Sequence, residues 1–103
     1  MQKTFENTTL TLTATNPNEI GLLKALSLVV VGAEAPPEPP IEVELGARGL
    51  HIQQGAARLV LLPDVASSHF LADFAKVVKG ERPERPIYVG SASDAELVLF
   101  QDE

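Results

Sequence analysis

All six threonines lie between positions 4 and 15, and Thr9, Thr11, Thr13 and Thr15 alternate strictly with Leu10, Leu12 and Ala14. β-Branched residues at a period of two mark a strand with one buried and one wet face. Phe5 falls on the threonine side of that register, so a bulge or turn near Asn7 is expected to reset it. At Asn16-Pro17-Asn18-Glu19 the period changes. Asn16 suits an N-cap, Pro17 the first helical position, and Glu19 the N3 position of a capping-box-like spacing. Ile20, Leu22, Leu23, Leu26, Val29 and Val30 then cover most of a helix circumference and leave a narrow stripe at Gly21, Lys24 and Ser27. A helix this apolar must be largely buried. Its end stays open, because Leu28-Val29-Val30-Val31 has strand-like composition.

Ala33 to Pro40 reads as a stiff polyproline-type connector. Beyond it, Ile41, Val43 and Leu45 alternate with Glu42 and Glu44, Gly46–Gly49 turns into Leu50–Gln53, and Gln54-Gly55-Ala56 turns into Ala57–Leu62. Glycine at each reversal supplies the positive φ that tight hairpins need, which predicts an antiparallel meander. Pro63-Asp64 is read as the start of a second helix. In it Ala66, Phe70, Phe74, Val77 and Val78 form the apolar side, His69, Ala72, Asp73, Lys76 and Lys79 the polar side, and Gly80 the C-terminal cap. Two strands close the chain, Ile87–Val89 and Glu96–Phe100, joined by a Gly90–Asp94 loop.

The predicted order is β-α-β-β-β-α-β-β. We therefore expect one α+β domain over residues 1–103, a two-layer sandwich of a mainly antiparallel sheet of five or six strands covered by two helices. A more closed, barrel-like sheet around a helix is the alternative.

Composition narrows the function. The chain has 103 residues, no Cys and a net charge of −6. Without Cys there is no disulfide scaffold, thiolate metal site or Cys nucleophile. A net-acidic chain disfavours nucleic acid and anionic membrane as partners. No basic segment leads into an apolar run at the N-terminus, and Ile20–Val31 falls short of a membrane span, so a cytoplasmic location is expected. Few Asn and Gln, no Cys and Pro in loops fit a thermophile's habits. Asn7-Thr8-Thr9 matches a glycosylation sequon that carries meaning only in a secreted chain.

Candidate chemistry is sparse. His51 alternates outward from Leu50 and Ile52. His69 stands beside Ser68 and four residues before Asp73, but adjacent helix residues point about 100° apart, which rules out a Ser68–His69–Asp73 triad and leaves a solvated His69–Asp73 contact. His51 and His69 lack further ligands at metal spacing, and no cofactor is called for. The Gly90–Asp94 loop lacks the helix and Lys of a phosphate cradle. Pro36-Pro37-Glu38-Pro39-Pro40 has P-x-x-P spacing, but its flanks Glu34, Glu38 and Glu42 are acidic where such ligands carry bases. A single threonine row is too little for an ice-binding array and instead suits a wet or interface-forming face.

The stretch from Leu50 to Lys79, with its outgoing strand ending in Leu62-Pro63-Asp64, resembles a hairpin-then-helix unit found in many small bacterial proteins of unknown function, and the chain as a whole resembles uncharacterised small proteins of the Thermus–Deinococcus group. That resemblance carries no functional residue.

The expected function is a non-catalytic interaction or assembly module that forms a homodimer. A small ligand-binding domain or enzyme using His51, His69 and Asp73 is the competing reading. A third is weak nucleic-acid binding through Arg48, Arg58, Lys76, Lys79, Arg82 and Arg85. Residues 1–45 hold six acids and two bases, residues 46–90 six bases and four acids, and residues 91–103 four acids and no base. Arg48, Arg58, Arg82 and Arg85 are thus candidates to meet Glu38, Glu42 and Glu44, part of the Glu34–Glu44 segment, on a second copy.

Overall fold

The bulge or turn expected near Asn7 is a two-residue turn at Asn7-Thr8. Asn7 and Thr8 both have positive φ, +50° and +61°, the signs of a type I′ turn whose twist matches that of paired strands. β1 (Gln2–Glu6) and β2 (Thr9–Thr13) are therefore two strands of a hairpin, with Phe5 opposite Leu10. That pairing moves Phe5 to the leucine side, where its ring meets Phe70 edge-on at 5.0 Å.

The remaining elements are α1 (Pro17–Val30), β3 (Glu42–Gly46), β4 (Gly49–Gln54), β5 (Ala57–Leu61), α2 (Ser68–Val78), β6 (Tyr88–Ala92) and β7 (Glu96–Phe100). This computed structural model describes residues 1–32 and 37–102. The first part of the expected polyproline connector, with Glu34 and Pro36, lies outside the described residues.

The fold is α+β with two helices, and the single sheet of five or six strands is corrected to two antiparallel sheets. One has four strands in the order β1-β2-β7-β6, and the other has three in the order β3-β4-β5. The order β-α-β-β-β-α-β-β becomes β-β-α-β-β-β-α-β-β. The extra strand is β1, which the Asn7–Thr8 turn separates from β2. The sheets divide because the central meander satisfies its own hydrogen bonds while β7 returns to pair with β2. Between them, the Lys3 amine on β1 donates to the Val60 carbonyl of β5 at 2.7 Å.

Both sheets turn their apolar rows to one core. Leu10, Leu12, Leu97 and Leu99 come from the larger sheet, Leu50, Ile52, Leu59 and Leu61 from the smaller, and Phe70 and Phe74 from α2. α1 packs on β5 as well as on β6 and β7, and also on α2. It meets both sheets, which is why its apolar residues cover so much of its circumference. The strand-like Leu28–Val30 run stays helical, and the exposed stripe runs along Gly21, Lys24 and Leu28.

The start of α2 is also corrected. Pro63-Asp64 forms a turn closed by the Val65 N–H donating to the Leu62 carbonyl. The helix begins five residues after Pro63, where the Ser67 hydroxyl accepts from the Phe70 N–H. A Ser N-cap that reaches its amide outcompetes a proline start that has no such partner. At the other end, Gly80 (φ +81°) donates to Val77 and Glu81 to Lys76, the two bonds of a Schellman cap.

Gly49 has φ +101°, and a Cβ there would collide with the Leu61 carbonyl oxygen. The β3–β4 hairpin therefore requires glycine at this position.

Candidate interaction surfaces

The meander's register sorts its polar side chains. Glu42, Gln53 and Arg58 are cross-strand partners in one row, and Glu44, His51 and Val60 form the next. All of them lie on the side away from Leu50, Ile52, Leu59 and Leu61, because successive residues of a strand face opposite ways. Arg48 sits at the tip of the β3–β4 hairpin and with Glu44, His51 and Arg58 lines a shallow concavity. Glu42, Glu44 and Arg58 are exposed and His51 is half-buried. Among the described residues the one ion pair is between the Met1 ammonium and Glu19, so no ion pair joins the charges on this face.

Of the seven residues expected to make contacts between copies, the structure thus gathers Glu42, Glu44, Arg48 and Arg58. Glu38 lies elsewhere, exposed beside α1. There Gly21, Ala25, Leu28, Pro39 and Ala57 help line a groove of about 530 Å³. Arg82 and Arg85 sit in the loop between α2 and β6, exposed and interleaved with Glu81 and Glu84.

That loop is held from beneath by a residue the sequence placed in solvent. Asp73 is 4% exposed. One carboxylate oxygen accepts from the Glu84 N–H at 3.0 Å and the other from the Gln101 amide at 2.7 Å. The Gln101 amide also donates to the Arg85 carbonyl. The expected solvated His69–Asp73 contact is thereby corrected. His69 is exposed and lines the same concavity, but Asp73 is buried and its recorded hydrogen bonds run to residues 84 and 101. His51 lies on the outer face of the other sheet and lines none of that concavity, so the three residues of the enzymatic reading are not brought together. Among the described residues no three His, Cys, Asp or Glu side chains are grouped to hold a metal.

The second buried acid, Glu19, caps α1. Asn16 accepts from the Glu19 N–H at 3.0 Å, while Glu19 accepts from the N–H and hydroxyl of Thr15, both at 2.8 Å, and from the Met1 ammonium at 3.0 Å. The Thr15 N–H, against the opposing effect of burial and with help from the ammonium and the Thr15 hydroxyl, lowers the Glu19 pKa from 4.5 to about 2.

The four-stranded sheet has a contrasting outer face. Thr4, Thr11, Val98 and Ser91 make its central row, and Glu6, Thr9, Phe100 and Tyr88 the row beside it. No described helix packs on this side. Tyr88, 42% exposed, lies 5.5 Å from the Phe100 ring. The register shifts at Gly90, which belongs to β6 rather than to the expected loop. Its missing side chain leaves room for Phe100 and Val98, which a Cβ there would meet at 3.3 and 3.4 Å.

The threonine row was visible in the sequence, but the aromatic half of this face was missed. The signal was present in β7, where Val98 and Phe100 alternate with the core residues Leu97 and Leu99. A strand that is apolar on both sides at a sheet surface points to a contact on each side.

Among the described residues, no helix is long and apolar enough to cross a membrane. Comparison with protein-family models, with curated proteins and with solved structures finds no match to this chain.

Proposed function

We propose that this protein is a non-catalytic interaction module of the cytoplasm, and that it pairs with a second copy through the outer face of its four-stranded sheet. The observation that carries this reading is the uncovered Thr9–Thr11–Val98–Phe100–Tyr88 surface. Its central row of Thr4, Thr11, Val98 and Ser91 is uncharged, and the aromatic pair Tyr88–Phe100 lies in the row beside it; few charges and enriched aromatics mark protein interfaces. Glu6 and Glu96, the charged residues of this face, stand at its rim. A neutral face fits another neutral face, and a second copy supplies one in a closed two-fold arrangement.

Size sets the strength. Four strands about 4.8 Å apart and five residues long give a footprint of about 300 Å². Stable complexes remove about 800 Å² from each partner. The dimer is therefore expected to be weak and to depend on concentration.

Light scattering behind size exclusion, across a concentration series, tests this. The expected result is a rise from monomer toward dimer mass in the wild type, and none for Tyr88→Glu or Thr11→Lys at unchanged circular dichroism. A wild type that stays monomeric at the highest concentration, or variants that dimerise as it does, overturns the reading.

A further inference from the structure

We infer that the outer face of the three-stranded sheet is a second, charge-matched contact for another copy of this chain. The inference rests on the register and needs nothing from the four-stranded sheet. Glu42 on β3, Gln53 on β4 and Arg58 on β5 form one row across the sheet. The acid and the base are at opposite ends of that row, on either side of the central strand.

Consider two copies of this face stacked about a two-fold axis running along β4. The rotation exchanges the β3 and β5 sides while keeping each residue at its level along the strand. The second copy's Glu42 then lies over Arg58, and the second copy's Arg58 over Glu42. Along the axis Gln53 faces Gln53 and His51 faces His51, while in the second row each Glu44 lies over the other copy's Val60 and adds no ion pair. Facing sheets stand about 10 Å apart, a gap that an Arg and a Glu reaching from opposite sides can span.

Among the described residues these charges are not already paired: no ion pair joins Glu42, Glu44, Arg48 or Arg58 to any other group, and Glu42 and Arg58 are both exposed. Arg48, at the hairpin tip, stays at the rim of the stacked pair. The arrangement is isologous, because each copy presents the same acid-to-base row. Exposed ion pairs contribute little each and are screened by salt, so the contact is weak and confined to low ionic strength.

The test reverses one charge in each of two chains. Both carry Tyr88→Glu, which removes the four-stranded face from the reading; one adds Glu42→Arg and the other Arg58→Glu. Each chain alone then stacks like on like and is expected to remain monomeric. Mixed at low salt, one chain presents two bases where the other presents two acids, and the pair is complementary at both ends of the row. Sedimentation equilibrium should show a heterodimer at least tenfold tighter than self-association of either chain, lost when the ionic strength is raised several-fold. Replacing Glu42→Arg with Glu38→Arg gives the same net charge off this face and should abolish the pairing. A mixture that sediments as two monomers overturns the inference, as does a Glu38→Arg chain that pairs equally well. Neither result bears on the Tyr88 face, whose own variants report on it separately.

Discussion

Two acids are buried in this protein, and they are buried for different reasons. Glu19 serves its own neighbourhood, accepting from the N–H and hydroxyl of Thr15, just before α1, and from the chain's amino terminus. Asp73 serves distant parts of the chain. From the middle of α2 it holds a loop backbone eleven residues on and a side chain 28 residues on. The first acid secures a helix end. The second ties α2, the loop before β6 and the end of β7 into one unit. Burial of a carboxylate is tolerated in both because each oxygen finds donors, and no buried side-chain polar atom among the described residues lacks a partner.

The sharpest way to break this comparison is Asp73→Ala. It removes both acceptors at once and leaves the Glu84 N–H without its partner, while the Gln101 amide keeps only the Arg85 carbonyl. The one donor left without a partner costs about 1–3 kcal/mol and the bond lost by the buried Gln101 amide about 1 kcal/mol more, so the expected loss is about 3 kcal/mol. For a domain of this size that is a fall in Tm of roughly 15 °C, readable by calorimetry. Asp73→Asn keeps one acceptor oxygen and should recover part of the loss. A change below about 0.5 kcal/mol for the Ala variant would remove Asp73 from the role given to it.

Glu19→Gln should cost less, about 1–2 kcal/mol. The amide oxygen retains the Thr15 bonds, and what disappears is the negative charge facing the ammonium and the helix N-terminus. The same residue sets a pH dependence. Its folded pKa, about 2, lies below the ordinary 4.5, so its contribution is fully present above about pH 4.5 and is lost as pH falls toward 2. Denaturant titrations of wild type and Glu19→Gln should therefore differ at pH 6 and converge as the pH approaches 2. A gap that stays constant across that range would mean the charge of Glu19 contributes nothing.

The contrast between these acids also explains what the sequence could reveal. Asn16-Pro17-Asn18-Glu19 is a local pattern, and a local pattern can be read one chain segment at a time. The structure departs from it by one residue only, with Glu19 reaching the N–H of Thr15 rather than that of Asn16. The hairpins at Gly49 and Gly55 and the strand Glu96–Phe100 were legible for the same reason.

Asp73 was not legible. Its helical spacing put it beside His69 and Lys76, and its burial comes from Gln101 and the Glu84 backbone arriving from elsewhere. The division into two sheets has the same origin, since it depends on β7 choosing β2 as its partner. Of the candidate surfaces, the charged row was half visible. Alternation gave Glu42 and Glu44 one face, but only the register placed Arg58 at the far end of the row from Glu42. The neutral face was visible as threonines and hidden as aromatics, because Tyr88 and Phe100 become neighbours only across β6 and β7.

The smallest expected effect sharpens the comparison most. His69 follows Ser68 on the chain and opens into the same concavity as Asp73, so sequence spacing alone makes it the natural partner of that acid. The structure gives it no such role. It is exposed, the recorded hydrogen bonds of Asp73 go elsewhere, and Ser67, not Ser68, provides the helix cap. His69→Ala should therefore change stability by less than about 0.5 kcal/mol, as surface substitutions usually do. A double-mutant cycle with Asp73→Ala gives the stricter reading. If Asp73 acts only through residues 84 and 101, the two effects add within about 0.5 kcal/mol. A coupling of 1 kcal/mol or more would show that histidine and acid work as a pair, and would restore the local reading of Asp73 that its long-range bonds contradict.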